Sequence, residues 1–413
     1  MSYYPEYFLA LSNPIPYIYS TTIEDSPSGP EMGRAGNERV ENMRLLPIRM
    51  CRPGMILGKR IFSEEGLVLL APGVELTAKL IARLEQCGVG YVYIEDPKTA
   101  DIVIPELISD ETRQYALKEI RTAFKEIMNR PEKRRGVTYP YVAKPFKTIM
   151  KMILDELGGR QDAMIMLLNM ETTDHYLFQH SLNVCIYTSL LGIARGYTTD
   201  ELTILGLGAL LHDVGKTQIP PSVLLKPGAL SQQEYALMKQ HTTHGFQLLK
   251  DEPNVPLIVA HCALQHHERL DGSGYPRGIR GDDIHEYAKL LGIVDSYDAM
   301  TTSRVYRSAM LPHQAVESLY AGSGTLYDQG LLQLFRDRVA IYPIGLTVRL
   351  STGERGVVVD LNATYSHRPI VRVLYDEAGN ELAVPYETDL SKVLTTMIVG
   401  VNEENENQPA AAG

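Results

Sequence analysis

Eight of the eleven histidines in this chain fall between His175 and His267, most of them in apolar, helix-like surroundings and several beside carboxylates. The stretch LLHDVGKTQIP, Leu210–Pro220, sets His212 directly against Asp213 at the end of an apolar run. Adjacent residues on a helix point in different directions. Neighbouring ligands that point apart are useful where a site holds two ions. The other segments are FQHSLNV with His180, MKQHTTHG with His241 and His244, LQHHERLDG with His266 and His267, and LGIVDSYDAM with Asp295. A lone buried histidine is usually a satisfied core residue. A set spread over separate helical segments constrains the fold far more, because those segments must converge.

Nitrogen and carboxylate donors without thiolate suit iron or manganese. Structural zinc sites usually use cysteine. A carboxylate between two ions lets its neighbouring histidine bind one of them while it contacts both. Two ions about 3.5–4 Å apart can activate a water and stabilise a displaced alkoxide in phosphoester cleavage.

The chain has 413 residues, room for two or three domains. Its formal net charge is -10, which argues against a general affinity for DNA, RNA or an anionic membrane. An anionic ligand would need a local cationic or metal site. Cys51, Cys87, Cys185 and Cys262 form no CxxC pair and read as reduced thiols, so a cytoplasmic protein is expected. No apolar run approaches the roughly 18 residues of a membrane span, and no secretory signal opens the chain.

Residues 1–42 are rich in Tyr, Pro, Ser and Gly without periodicity and read as disordered. Met43 opens the first ordered pattern, so translation starts either at Met1 or at Met43. Residues 43–98 read as a small α+β module, with Leu80, Ile81 and Leu84 as the apolar stripe of its helix and Gly88 and Gly90 at its end. Residues 99–337 read as helical, interrupted by the basic loop RPEKRRG, a solvated connector. Thr198 with Glu201 and Ser231 with Glu234 carry capping-box spacing, one leading into LLHD and the other towards His241. Residues 338–401 alternate like strands and read as a β-rich module, with a small barrel as one form; 402–413 read as a flexible tail. The fold expected is mainly α, flanked by these two small modules.

HDVGK followed by HHERLDGSGYP, with the spacer IPPSVLLKPGALSQQEYALMKQHTTHG between and DSYDAMTTSRVYR after, resembles the HD-GYP family, a branch of the HD phosphohydrolases. The resemblance covers roughly residues 170–320. It implies an all-helical metal domain of the kind found in bacterial cyclic di-GMP phosphodiesterases, which use two or sometimes three iron or manganese ions. On that resemblance His180, His212, Asp213 and Asp295 hold one metal. Asp213 bridges to a second, completed by His241, His266 and His267. Lys216 meets the scissile phosphate and assists proton transfer, while Tyr275, Arg304 and Arg307 hold phosphate oxygens. Arg suits that task because its planar fork binds oxygens bidentately. Gly272 and Gly274 permit the turn that carries Tyr275.

Three-metal members place a Glu four residues before the first ligand histidine. Tyr176 stands there, so two divalent ions are expected. His175 and His244 match no role. Glu268 and Arg269 read as structural ion pairs, and Asp298 and Thr301 as groups that orient ligands. The expected activity is hydrolysis of cyclic di-GMP to pGpG, with GMP as a further product, in second-messenger signalling. The alternatives are another cyclic dinucleotide, or a non-catalytic dinucleotide-binding module; signalling proteins or a second copy of the chain are the candidate partners.

Overall fold

The computed structural model describes residues 43–402 apart from 63–67, 100, 103–105, 129–139, 159–175, 227, 303–308 and 363. The segment 1–42, the basic loop, the tail from 403 and His175 lie outside the described residues. Among the described residues, besides a single helical turn at Pro221–Leu224, the helices are α1 (Ala78–Gln86), α2 (Asp110–Met128), α3 (Pro140–Leu157), α4 (Tyr176–Arg195), α5 (Thr199–Leu211), α6 (Gln232–Lys239), α7 (His241–Leu249), α8 (Leu257–Gln265), α9 (Glu286–Thr301), α10 (Pro312–Tyr320) and α11 (Gln329–Arg338). Strands β1 (Arg44–Pro47), β2 (Ile61–Phe62), β3 (Val68–Leu70) and β4 (Tyr91–Ile94) surround α1. After α11 come β5 (Thr347–Leu350), β6 (Arg355–Asp360), β7 (Ile370–Tyr375), β8 (Glu381–Asp389) and β9 (Ile398–Val401). The chain is mainly α, with strands on both flanks.

Both capping boxes form. The Thr198 hydroxyl accepts from the Glu201 amide at 3.3 Å, and the Glu201 carboxylate accepts from the Thr198 amide at 2.8 Å. Ser231 and Glu234 repeat the exchange at 3.3 and 2.7 Å. The first box starts α5, whose Leu202, Leu205, Leu207, Ala209, Leu210 and Leu211 are all buried. A helix apolar on every side belongs inside a core. α5 accordingly runs through the helical core, with α4 and α8 packed against it. Its C-terminal end delivers His212 to the interior.

At the N-terminal flank β1 pairs with β4 and β2 with β3, both antiparallel. Leu84 is the buried member of the α1 stripe, and Gly88 ends the helix at φ +80°. At the C-terminal flank the strands form one antiparallel sheet in the order β8-β7-β6-β5-β9. The β-rich module forms as expected; a closed barrel, one form it could take, is not seen among the described residues, where β8 and β9 are opposite edges of this sheet. Alternation specifies which face of a strand is buried, not whether the outer strands meet.

The two flanks share a core. Met43, Leu45 and Tyr93 pack with Leu346, Val348, Leu350, Val358, Val371, Val373 and Leu390. The Tyr93 hydroxyl donates to the Ile344 carbonyl at 3.2 Å, and the Leu45 amide donates to the Gly345 carbonyl at 2.9 Å. Among the described residues no helix is long and apolar enough to cross a membrane.

Candidate metal centre

α5 ends between the two residues of the HD pair. His212 keeps helical angles (φ -55°, ψ -36°), while Asp213 turns away (φ -101°, ψ 7°) into the 3-10 turn Val214–Gln218. The two side chains diverge because the helix stops there. Gly215 lets this turn press on α7: a Cβ at that position would lie 1.9 Å from the His241 carbonyl oxygen and 2.4 Å from the Gly245 nitrogen. That close approach brings His241 beside Asp213.

The Asp213 carboxylate stands between two pairs of imidazoles. Its Oδ2 lies 3.5 Å from His180 Nε2 and 3.4 Å from His212 Nε2, which are 3.2 Å from each other. Its Oδ1 lies 3.4 Å from His241 Nε2 and 3.8 Å from His266 Nε2, themselves 3.3 Å apart. Asp295 spans the same gap. Its Oδ1 is 3.1 Å from His180 Nε2, and its Oδ2 is 3.8 Å from His267 Nδ1. The grouping drawn from the resemblance set Asp295 with His180, His212 and Asp213; in the structure it also faces His267. His180, His212, Asp213, His241, His266 and Asp295 are buried, and His267 is partly so.

Four of the rings are fixed from behind. The Nδ1 atoms of His212, His241 and His266 face the carbonyls of Ala209, Met238 and Cys262 at 2.7, 2.7 and 3.1 Å. A carbonyl can only accept, so each Nδ1 donates and each Nε2 is left with a lone pair facing inward. His180 Nδ1 faces Asp298 Oδ2 at 2.6 Å. The Asn183 amide donates to Asp298 Oδ1 at 3.2 Å, and Gln179 donates to Asn183 at 2.9 Å. Asp298 thus orients the His180 ring. Thr301 does not: its hydroxyl donates to the Tyr297 carbonyl in its own helix. Asn183 and Gln179 were not singled out in the sequence. Their signal was a pair of amides beside His180 in an otherwise apolar stretch. His244 is partly exposed on α7.

Burial pushes His241 down to about 4, His267 down to about 3 and His266 well below the usual histidine value. Burial acts in the same direction on His180, but hydrogen bonds with Asp295 and Asp298 outweigh it and raise that ring to about 9. Burial would raise Asp213 and Asp295. Lys216 and His212 nevertheless hold Asp213 well below the carboxylate range, and His180 and His267 do the same for Asp295. Neutral imidazoles and ionised carboxylates are the forms that bind metal; His241, His266 and His267 meet that requirement, whereas His180, held protonated by Asp295 and Asp298, would have to release a proton on binding. Asp213 Oδ1 is buried with no hydrogen-bond partner. Such an orphaned acceptor costs about 1–3 kcal/mol, and more for a charged group. A cation between it, His241 and His266 would remove that cost. The donor set fits divalent metal, and its N/O chemistry fits iron or manganese.

Lys216, on the 3-10 turn and partly exposed, forms an ion pair with Asp213. Tyr275 stacks on His267 with ring centres 4.7 Å apart, and its amide donates to the His267 carbonyl at 3.2 Å. The turn that carries it needs Gly274, where a Cβ would sit 2.4 Å from the Arg269 nitrogen. Gly272 adopts φ +80° in the same turn. Among the described residues Glu268 and Arg269 do not form the ion pairs expected of them. The buried Glu268 carboxylate accepts from the Arg277 and Ile279 amides at 2.8 and 3.2 Å, tying down the loop after Tyr275. Arg269 donates to the His266 and Glu268 carbonyls. Backbone groups of a tight loop need partners, and these two side chains supply them. Arg304 and Arg307 lie outside the described residues, as does the side chain of Tyr176.

Residues 178–331 match the HD domain family model, and 347–409 match the KOW domain associated with HD domain. The chain is 33% identical over 256 residues to a cyclic di-GMP phosphodiesterase of Pseudomonas aeruginosa, covering 60% of this chain and 61% of that one. It is 43% identical over 134 residues to a cyclic di-GMP phosphodiesterase response regulator of Xanthomonas campestris, covering 32% and 35%. It is 35% identical over 156 residues to a 3'3'-cGAMP-specific phosphodiesterase of Vibrio cholerae, covering 38% and 30%. The chain thus spans less than two thirds of each relative's own length. Motif order, the converging histidines and aspartates and these matches agree: the chain carries an HD domain homologous to those of the HD-GYP cyclic di-GMP phosphodiesterases.

Proposed function

We propose that the chain is a metal-dependent phosphodiesterase of bacterial second-messenger signalling, acting in the cytoplasm, that hydrolyses cyclic di-GMP to pGpG, with GMP as a further product. The observation that carries this reading is the Asp213 carboxylate, which turns one oxygen to His180 and His212 and the other to His241 and His266. In this reading His180, His212, Asp213 and Asp295 hold one ion, and Asp213, His241, His266 and His267 hold the other. When bound, two ions of iron or manganese would supply an activated water and offset charge on the departing 3′-oxygen. Lys216, whose partly exposed ammonium pairs with the buried Asp213, meets the scissile phosphate and delivers a proton to the leaving oxygen. Burial raises the Tyr275 phenol, so it keeps its proton and donates to a phosphate oxygen. Arg304 and Arg307, shortly after α9, complete the phosphate clamp.

A second reading is another cyclic dinucleotide, favoured by the similarity to a protein named for 3'3'-cGAMP. Metals and phosphate clamps recognise the diester and not the base, so the centre serves either. A non-catalytic dinucleotide-binding module is the third reading; the complete ligand set argues against it. The test is anaerobic purification, metal analysis and turnover of a panel of cyclic dinucleotides. Metal-dependent release of pGpG from cyclic di-GMP supports the proposal. Binding of the dinucleotide without metal-dependent cleavage overturns it in favour of a sensor.

A further inference from the structure

Aromatic rings continue outward from the metal centre on its open side. Tyr275, stacked on His267, lies 6.3 Å from His241. Beyond it stands Tyr235 of α6, with its ring centre 6.5 Å from that of Tyr275 and the planes 79° apart. Lys239, one turn further along α6, sets its ammonium 5.1 Å from the Tyr235 ring centre and 5.7 Å from that of Tyr275. Tyr235 is 49% exposed. α6 buries none of its residues, so packing does not explain an aromatic there. Its first turn is nevertheless held firmly. Glu234 accepts from the Ser231 amide and pairs with Lys226 at 2.7 Å. A half-exposed ring on a braced turn, with a cation gripping it from one side, is a preorganised stacking surface.

We propose that Tyr235 is a base subsite: its free face stacks a purine of the cyclic dinucleotide while the scissile phosphate lies at the metal centre. Lys239 is a positioning residue that holds the Tyr235 and Tyr275 rings in their edge-to-face arrangement. The metal ligands and the phosphate clamp read a diester; Tyr235 adds recognition of the flat, strongly stacking base. Stacking of this kind contributes roughly 10–100-fold in affinity per base. The inference rests on the phosphodiesterase reading above.

The chain has no tryptophan, so Tyr235→Trp places a single tryptophan at the subsite, excited selectively over the tyrosines. Titration of that variant with cyclic di-GMP quenches its emission, and the quench saturates at the Kd found by calorimetry. Tyr235→Ala raises the Kd and KM for cyclic di-GMP roughly 10–100-fold, with metal content per chain unchanged, and Tyr235→Phe restores most of the loss. Lys239→Ala shifts the same constants in the same direction by a smaller factor. Wild-type constants in Tyr235→Ala, or an unquenched Tyr235→Trp at saturation, overturn the subsite while leaving the phosphodiesterase reading intact. A wild-type protein that neither binds nor cleaves any cyclic dinucleotide overturns that reading and the subsite with it.

Discussion

Asp298 shows how much of the centre depends on residues that hold no ion in the arrangement proposed. It fixes His180 through Nδ1 at 2.6 Å and is itself held by Asn183. Losing such a partner typically costs 10–100-fold in metal affinity or activity. Asp298→Ala should therefore weaken metal binding by about that factor, measured by competition with a chromophoric chelator; unchanged affinity would leave His180 oriented by packing alone. Lys216 is a different case. Its ammonium faces Asp213 without belonging to the ligand set. Lys216→Ala should keep the metals and lower kcat by about 10²–10³, the usual worth of an oriented charge in a reacting site. A wild-type kcat would make Lys216 a bystander. At this scale the histidines and aspartates were legible, because a motif fixes residue type and spacing together. Gln179 and Asn183 were not, since a pair of amides beside a histidine gains a role only once Asp298 on another helix is placed against it.

Among the elements, the 3-10 turn after α5 and the first turn of α7 are pressed together at Gly215. Any side chain there must displace the His241 carbonyl, 1.9 Å from the added Cβ. Gly215→Ala should cost at least the 1–3 kcal/mol typical of overpacking, which for a domain the size of the helical region lowers Tm by roughly 2–4 °C per kcal/mol. It should also reduce metal content, because His241 moves. A drop in Tm with full metal content would separate the fold of this turn from the ligand set. The helix starts at Thr198 and Ser231 were readable from capping-box spacing, a local pattern. The edges of the C-terminal sheet were not, because closure of a ladder depends on residues far apart in the chain. Nor was the role of Glu268: a Glu beside an Arg reads as an ion pair, yet both side chains serve backbone groups.

Across the whole molecule, the two strand-rich flanks meet through Met43, Leu45 and Tyr93 on one side and Leu346, Val348 and Val371 on the other. Neither stretch announces this in sequence, because each is apolar enough to look self-sufficient. Tyr93 is only 3% exposed. Tyr93→Ala should cost about 3–5 kcal/mol, as for other large aromatic truncations. Amide exchange should then rise in both 43–98 and 338–402 while α5 and α8 stay protected. A rise confined to 43–98 would contradict the shared core. The central claim remains one carboxylate serving two ions, and metal stoichiometry in Asp213→Ala tests it most directly. After anaerobic loading with iron or manganese, the wild type should hold close to two ions per chain, and the variant should lose tight binding at both positions. A variant that keeps the wild-type stoichiometry, or sheds a single ion while the other stays tightly bound, would contradict a bridge at Asp213.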